Sequence, residues 1–325
     1  MAQEGTGPQH PDPRDPDPRG GDAPDRTFTF LDRRQAALIR ALAQQAFAGW
    51  GWEVVIEPDG LVAAGGRIWG LASLMGDCAA WPRGEADWPR LVTRYVARMI
   101  ALADQPPPEA LSRRDVLSRV YLRLIRSSHI PASLRNDFSY VRPVAPGFQR
   151  VLALDSPESI SVLTDEFVYP FGLGELLVAG MTNLRRVPIG RVERYAGGWR
   201  EHVYCLTGSS VYTASKLLTL PEVVREVLRV EDHRYGILAG VPTRDRLFVS
   251  FVEPATAMAA TRSMMQATVD VYHHSPGAIS PLVYWWHDGG FSAVSRPAGD
   301  GSYLLDHAGP YAPLLAEFLD RHGHR

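Results

Sequence analysis

The sequence predicts an α+β protein: a mostly antiparallel sheet flanked by helices, divided into two lobes. Three observations predict it. Stretches with apolar residues at helical spacing recur along the chain. Between them stand short apolar runs joined by turn signals, Asp59-Gly60 and Asp288-Gly289-Gly290 among them, and such signals mark hairpins rather than long crossovers. The segment from Phe148 to Val252 then packs strand, helix and a further strand pair into the densest block of the chain.

Composition narrows the chemistry. Of 325 residues 45% are hydrophobic and 22% charged, enough apolar chain for one large core or two smaller ones. The net charge of -2 gives no concentrated basic surface, so nucleic acid is not expected as a partner. Lys216 is the only lysine; every other basic side chain besides histidine is an arginine. Two cysteines, Cys78 and Cys205, sit in apolar runs and read as buried thiols. Without a CxxC there is no thiolate zinc site to build, and neither metal nor cofactor is expected. The opening residues lack an apolar leader segment, and no apolar run approaches the ~18 residues of a membrane span. The expectation is therefore a cytoplasmic protein without a membrane partner.

In chain order, residues 1–26 are rich in Asp-Pro, Gly and alternating charge, with nothing to bury. They read as a disordered tail, a solvated spacer or docking arm. Residues 27–109 form the helix-rich first lobe. Leu31, Leu38, Leu42 and Ala46, with Ile39 and Phe47 beside them, trace the inner face of its first helix. A hairpin over Asp59-Gly60 follows, then an apolar helix through Cys78. A second long helix starts near Trp88, with Pro89 in its first turn. Its inner face is Leu91, Val92, Tyr95, Val96, Met99 and Leu102, and Pro106-Pro107-Pro108 stands as the linker.

Residues 110–325 form the α+β core lobe. LSRRDVLSRVYLRLIRS reads as a helix running into a strand, and HIPASLRND as a loop. FSYVRPVAPG and FQRVLALD are paired strands. SISVLT is a strand, and a helix from Leu173 places Leu176, Leu177, Met181 and Leu184 inward until Pro188 ends it. A hairpin crosses Gly197-Gly198. SVYTASKLLTL reads as a helix interrupted near Pro221. GILAGVPT and RLFVSFV form a sheet-centre hairpin turning at Arg244 and Asp245, apolar on both faces. Behind it a helix from Ala255 to His273 buries Met258, Met265, Val269 and Tyr272. A hairpin through Trp285-Trp286 and a C-terminal helix of about 310–321 close the chain.

Candidate chemistry is sparse. Asp155, with Asp165 and Glu166 one strand later, could serve as general acid and base or as hard-metal ligands, or as helix-start acids that complement the helix dipole. His202, on a strand face, and His287, next to Asp288, are the better-placed histidines. Trp286 is a recognition anchor if its face of the strand is open, and Arg244 and Asp245 are polar binding candidates at a hairpin tip. No HExxH, GxSxG, Walker A or strand-linked GxGxxG run is present.

DSPESISVLTDE, the helix ending NLRR, and GILAGVPTRDRLFV together resemble a pattern in the uncharacterised YtpQ-like bacterial family and its actinobacterial relatives, over roughly residues 110–295. The resemblance implies a bacterial source and transfers no activity or site residue.

Two functional expectations follow. The first is a cytosolic, non-catalytic binding or regulatory protein with a protein partner. The second is a hydrolase of unrecognised type, using Asp155, Asp165 or Glu166 with His202 or His287. Convergence of those acids with a histidine in a concave pocket separates the two.

Overall fold

A computed structural model describes residues 23–63, 68–103, 110–130, 132–156, 159–194 and 203–322. The chain divides into two compact units, Met1–Val96 and Ala97–Arg325. The expected lobe boundary at 109 falls beside residues 104–109, which lie outside those described. So do residues 1–22 of the expected tail. Its last residues do not behave as a tail: Asp25 is 8% exposed and forms an ion pair with Arg40 at 3.0 Å. Pro24 bridges to Asp32, and the fold is under way by Ala23, whose carbonyl accepts from Arg33 N.

In the first unit, α1 (Arg33–Gly49) opens on a capping box. Asp32 accepts from Gln35 N at 2.7 Å, and the Gln35 side chain accepts from Asp32 N at 3.2 Å. Its buried stripe is Ala36, Ile39, Ala43 and Phe47: Ile39 and Phe47 are buried as expected, whereas Leu38, Leu42 and Ala46 are only half-buried beside them. Alanine on the inner face lets the helix sit close, and the Phe47 ring packs tilted against Trp69, 4.6 Å between centroids. Strands β1 (Val54–Ile56), β2 (Gly60–Ala63) and β3 (Ile68–Gly70) form an antiparallel meander, with the expected turn between the first two. Next come α2 (Ala72–Ala79), a 3₁₀ turn over Gly84–Asp87, and α3 (Trp88–Ala103). Leu91, Val92, Val96 and Ile100 are buried along α3.

The second unit carries the α+β core. Helix α4 (Arg113–Arg119) runs directly into β4 (Val120–Arg126), as the change from helical to alternating pattern predicts. With β5 (Arg142–Ala145), β6 (Phe148–Ser156) and β7 (Ser159–Val162) it makes a four-stranded antiparallel sheet. The expected loop before β5 contains two 3₁₀ turns. Helix α5 (Asp165–Phe171) leads through Gly172 into α6 (Leu173–Arg186), which lies across the sheet. A side chain on Gly180 would reach Leu122 N at 3.0 Å and the Tyr121 carbonyl carbon at 3.1 Å, so only glycine lets α6 approach β4 this closely.

A six-stranded antiparallel sheet follows, built from β8 (Arg191–Arg194), β9 (Tyr204–Thr207), β10 (Ile237–Gly240), β11 (Arg246–Phe251), β12 (Val283–His287) and β13 (Gly290–Ala293). Its order is β13-β12-β10-β11-β9-β8. Central strands β10 and β11 are buried on both faces, as their continuous apolar sequence requires. Residues 214–228 wind through a 3₁₀ turn, α7 (Leu220–Val223) and a π turn. Pro221 therefore starts a helix here rather than interrupting one, since a first-turn proline loses no hydrogen bond.

Helix α8 (Ala257–His274) covers one sheet face with Ala260, Met264, Ala267 and Val271. Met258, Met265, Val269 and Tyr272, the expected stripe, lie to its side and are only half-buried. As in α1, the small residues mark the true contact line. Strands β14 (Ser295–Pro297) and β15 (Tyr303–Leu305) pair, and α9 (Tyr311–His322) packs Leu315 and Phe318 against the α8 core. The two larger sheets share a core: Phe148 packs on Tyr284, whose hydroxyl donates to Pro146 O at 3.0 Å.

Candidate functional site

The four-stranded sheet packs one face against α6; its opposite face carries an apolar cluster of Ile125, Ile130 and Val151 beside Tyr121, Arg123 and Asp155. Register pairs Val120 with Leu154 and Arg123 with Val151. Strand alternation therefore sets Leu122, Leu152 and Leu154 toward α6, and sets Tyr121, Arg123, Ala153 and Asp155 on the opposite face. Asp155 stands at the end of β6, beside the α4–β4 junction that carries Arg119.

The segment following β9 completes the cluster. It runs along the edge of β4, where Ser215 Oγ accepts from Leu124 N at 3.0 Å. This placement stacks Tyr212 on Tyr121, 4.3 Å between ring centroids and 17° from parallel. The Arg123 guanidinium lies 5.9 Å from the centre of the Tyr212 ring. Tyr212 is 2% exposed, and its hydroxyl faces the Asp155 carboxylate, whose ionised form it favours. The turn residue Arg244 closes the arrangement. Its carbonyl accepts from Ala214 N at 3.0 Å, its own N–H donates to Gly277 O at 3.0 Å, and its charge is felt at Arg123.

Electrostatics follow from this packing. Burial pushes the Asp155 carboxyl above its ordinary range, while Tyr212, Arg123 and Arg119 pull it back without cancelling the rise. Burial, then Asp155, drives the Tyr212 phenol far up and the Tyr121 phenol up as well. Burial also works against the charge on Arg123, and Arg244 adds like-charge repulsion. Among the described residues Arg123 forms no ion pair within 4 Å. Arg119, Arg123 and the Tyr212 phenol thus face the one carboxylate, with Arg244 adding positive charge beside Arg123, an arrangement suited to holding an anionic group.

The other expected site residues lie elsewhere. Asp165 starts α5 and accepts from Ser139 N at 2.8 Å, and Glu166 is exposed in the same first turn; both occupy the helix-start role. His287 stacks on Trp285 at 4.6 Å, and its Nδ1 lies 3.3 Å from Asp288, in the six-stranded sheet. His202 falls outside the described residues. Trp286 is half-buried, packed into the shared core and edge-on to His233 at 5.5 Å. Asp245 accepts from Gly208 N through its carbonyl and lies 3.9 Å from Arg246 Nε. Of the expected site residues, Asp155 and Arg244 both neighbour Arg123.

Sequence reasoning missed Arg119, Tyr121, Arg123 and Tyr212. The alternating VYLRLIR strand placed Tyr121 and Arg123 on one face, but nothing local pairs them with Tyr212. It also passed over Lys216, which is 5% exposed and donates to Arg185 O at 2.9 Å, the last turn of α6. Burial lowers its ammonium pKa. A cleft of about 470 Å³ beside it is edged by the Arg185–Glu222 ion pair.

Among the described residues no group of three or more His, Cys, Asp or Glu side chains is placed to hold a metal ion. None of their helices is long and apolar enough to cross a membrane. Compared with known proteins, the chain matches no family model, no curated protein and no solved structure.

Proposed function

We propose that the chain is a non-catalytic binding or regulatory protein whose partner is another protein, and that it recognises an acidic side chain of that partner at Arg119, Arg123 and Arg244. The observation that carries this reading is the excess of positive charge around Asp155: its carboxylate faces Arg119, Arg123 and the Tyr212 hydroxyl, and Arg244 adds a further positive charge beside Arg123. Guanidinium groups bind carboxylates through paired, directional hydrogen bonds, and a half-buried setting strengthens them. The acids and His287 that a hydrolase would need stay apart.

Capture from native lysate tests it, with the full chain compared to the Arg123→Gln variant. A partner retained by the wild type and lost with Arg123→Gln supports the reading. A partner held equally by both removes this cluster from the interface.

The hydrolase reading keeps one specific support. Asp155, whose carboxyl burial raises above its ordinary range beside Tyr212, is a candidate proton donor or acceptor. Turnover of an ester or phosphoester by the wild type, abolished in Asp155→Asn, would favour it.

A further inference from the structure

In the first unit a groove of about 360 Å³ opens between the α2–α3 connection and the start of α3. Its floor is apolar: Trp81, Pro82 and the buried Leu91. Trp81 is fixed in place, its indole N–H donating to Asp87 Oδ2 at 3.0 Å. The rim is cationic. Arg90 and Arg94 stand one turn apart on α3, a spacing at which like charges repel. Neither forms an ion pair among the described residues, and Arg83 reaches Asp87 only at 3.8 Å. A flat aromatic floor under unneutralised arginines suits an extended, proline-rich, acidic segment: prolines lie on the aromatic face and carboxylates meet the guanidiniums.

The chain itself supplies such a segment. Residues 1–22 contain Pro8, Pro11, Pro13, Pro16 and Pro18, and Glu4, Asp12, Asp15, Asp17 and Asp22 against Arg14 and Arg19. The point of entry into the fold is also next to the groove. Ala23 O accepts from Arg33 N at 2.9 Å. The following residues, Arg34 and Gln35, grip Glu85 at 3.0, 2.5 and 3.1 Å, and Glu85 stands in the 3₁₀ turn between the lining residues Arg83 and Asp87. At roughly 3.1 Å per residue for an extended proline-rich strand, the stretch from Asp12 to Ala23 spans about 30 Å, ample to turn back onto α3.

We propose that the Asp-Pro segment, Asp12 to Arg19, docks into the Trp81–Arg90–Arg94 groove of its own chain. The test uses the full chain carrying His10→Cys with a nitroxide label. Cys78 and Cys205 are buried, and burial pushes the Cys78 thiol up to about 12, so the label goes to position 10. The readout is the ¹⁵N indole signal of Trp81, identified through Trp81→Phe. Trp50, exposed in the same unit, is the control.

The expected result is that the oxidised label weakens the Trp81 signal at least fivefold while leaving Trp50 nearly untouched, independently of protein concentration. The double variant Arg90→Glu, Arg94→Glu, with unchanged circular dichroism, should restore the signal. Three outcomes would overturn the proposal: an unaffected Trp81, equal weakening of Trp81 and Trp50, or weakening that grows with concentration. The last would assign the groove to the tail of a second copy.

Discussion

Tyr121 and Tyr212 lie face to face, 4.3 Å between ring centroids, and that stack holds the Tyr212 hydroxyl against Asp155. It joins a strand of the four-stranded sheet to the segment after β9. Removing the hydroxyl alone, in Tyr212→Phe, keeps the stack and withdraws a group that favours the ionised carboxylate. The Asp155 carboxyl should then titrate at a still higher pH, which ¹³C NMR of the side chain checks. Tyr212→Ala also loses the buried ring and should destabilise the protein by about 3–5 kcal/mol in urea unfolding.

Asp155 itself works against folding at neutral pH. Its carboxyl is raised in the folded state by burial, so the fold binds its proton more tightly than the unfolded chain does. Stability should therefore fall as pH rises from the unfolded value through the folded one. Asp155→Asn removes that penalty. The variant should melt at a higher temperature than the wild type at pH 7, and the two should converge at pH 3, where both side chains are neutral.

Asp25 carries the opposite sign. Burial pushes its carboxyl up, but Arg40 and the N–H groups of Phe28 and Thr27 outweigh this, and the net shift is down. A depressed carboxyl stabilises the fold fully above its unfolded value of about 3.9, and the contribution is lost as pH falls through the folded value. Asp25→Asn leaves Arg40 buried without its counter-charge. It should cost about 3 kcal/mol at pH 7, and less as the solution is acidified below pH 4. Thermal melts of both forms across pH 2–7 measure this.

Helix α6 docks through two residues. Asn183 donates from Nδ2 to Leu117 O and Val120 O, both at 2.8 Å, at the α4–β4 junction. Asn183→Leu leaves both carbonyls without those bonds and should cost about 2–3 kcal/mol. Gly180→Val drives two extra methyl groups and a Cβ into the β4 backbone and should cost at least as much, despite glycine's poor helix propensity. Chemical denaturation of both variants decides it.

Lys216 gives a direct probe of packing. Its amine is buried and already donates to Arg185 O. Acylating reagents should leave Lys216 unmodified in the native protein and modify it fully in denaturant, as peptide mass mapping would show. Rapid native acylation would mean that the α6 terminus opens on the reagent's timescale.

The local pattern determined most of the secondary structure. Asp59-Gly60 and Asp288-Gly289-Gly290 announced their hairpins, VYLRLIR announced a strand after a helix, and Pro89 marked the first turn of α3. These signals are local because turn chemistry and side-chain periodicity act over a few residues. Which stripe of a helix lies inward was decided elsewhere. In α1 and α8 the largest side chains named one line, while close approach selected the alanine-rich one. The candidate site was settled by tertiary structure almost entirely. Asp155, Arg123, Tyr212 and Arg244 come from four separate segments, and no periodicity links them. Only strand register and the path of the chain along the edge of β4 bring their charges within reach of one another, because electrostatic interaction depends on distance in space and burial rather than on spacing in sequence.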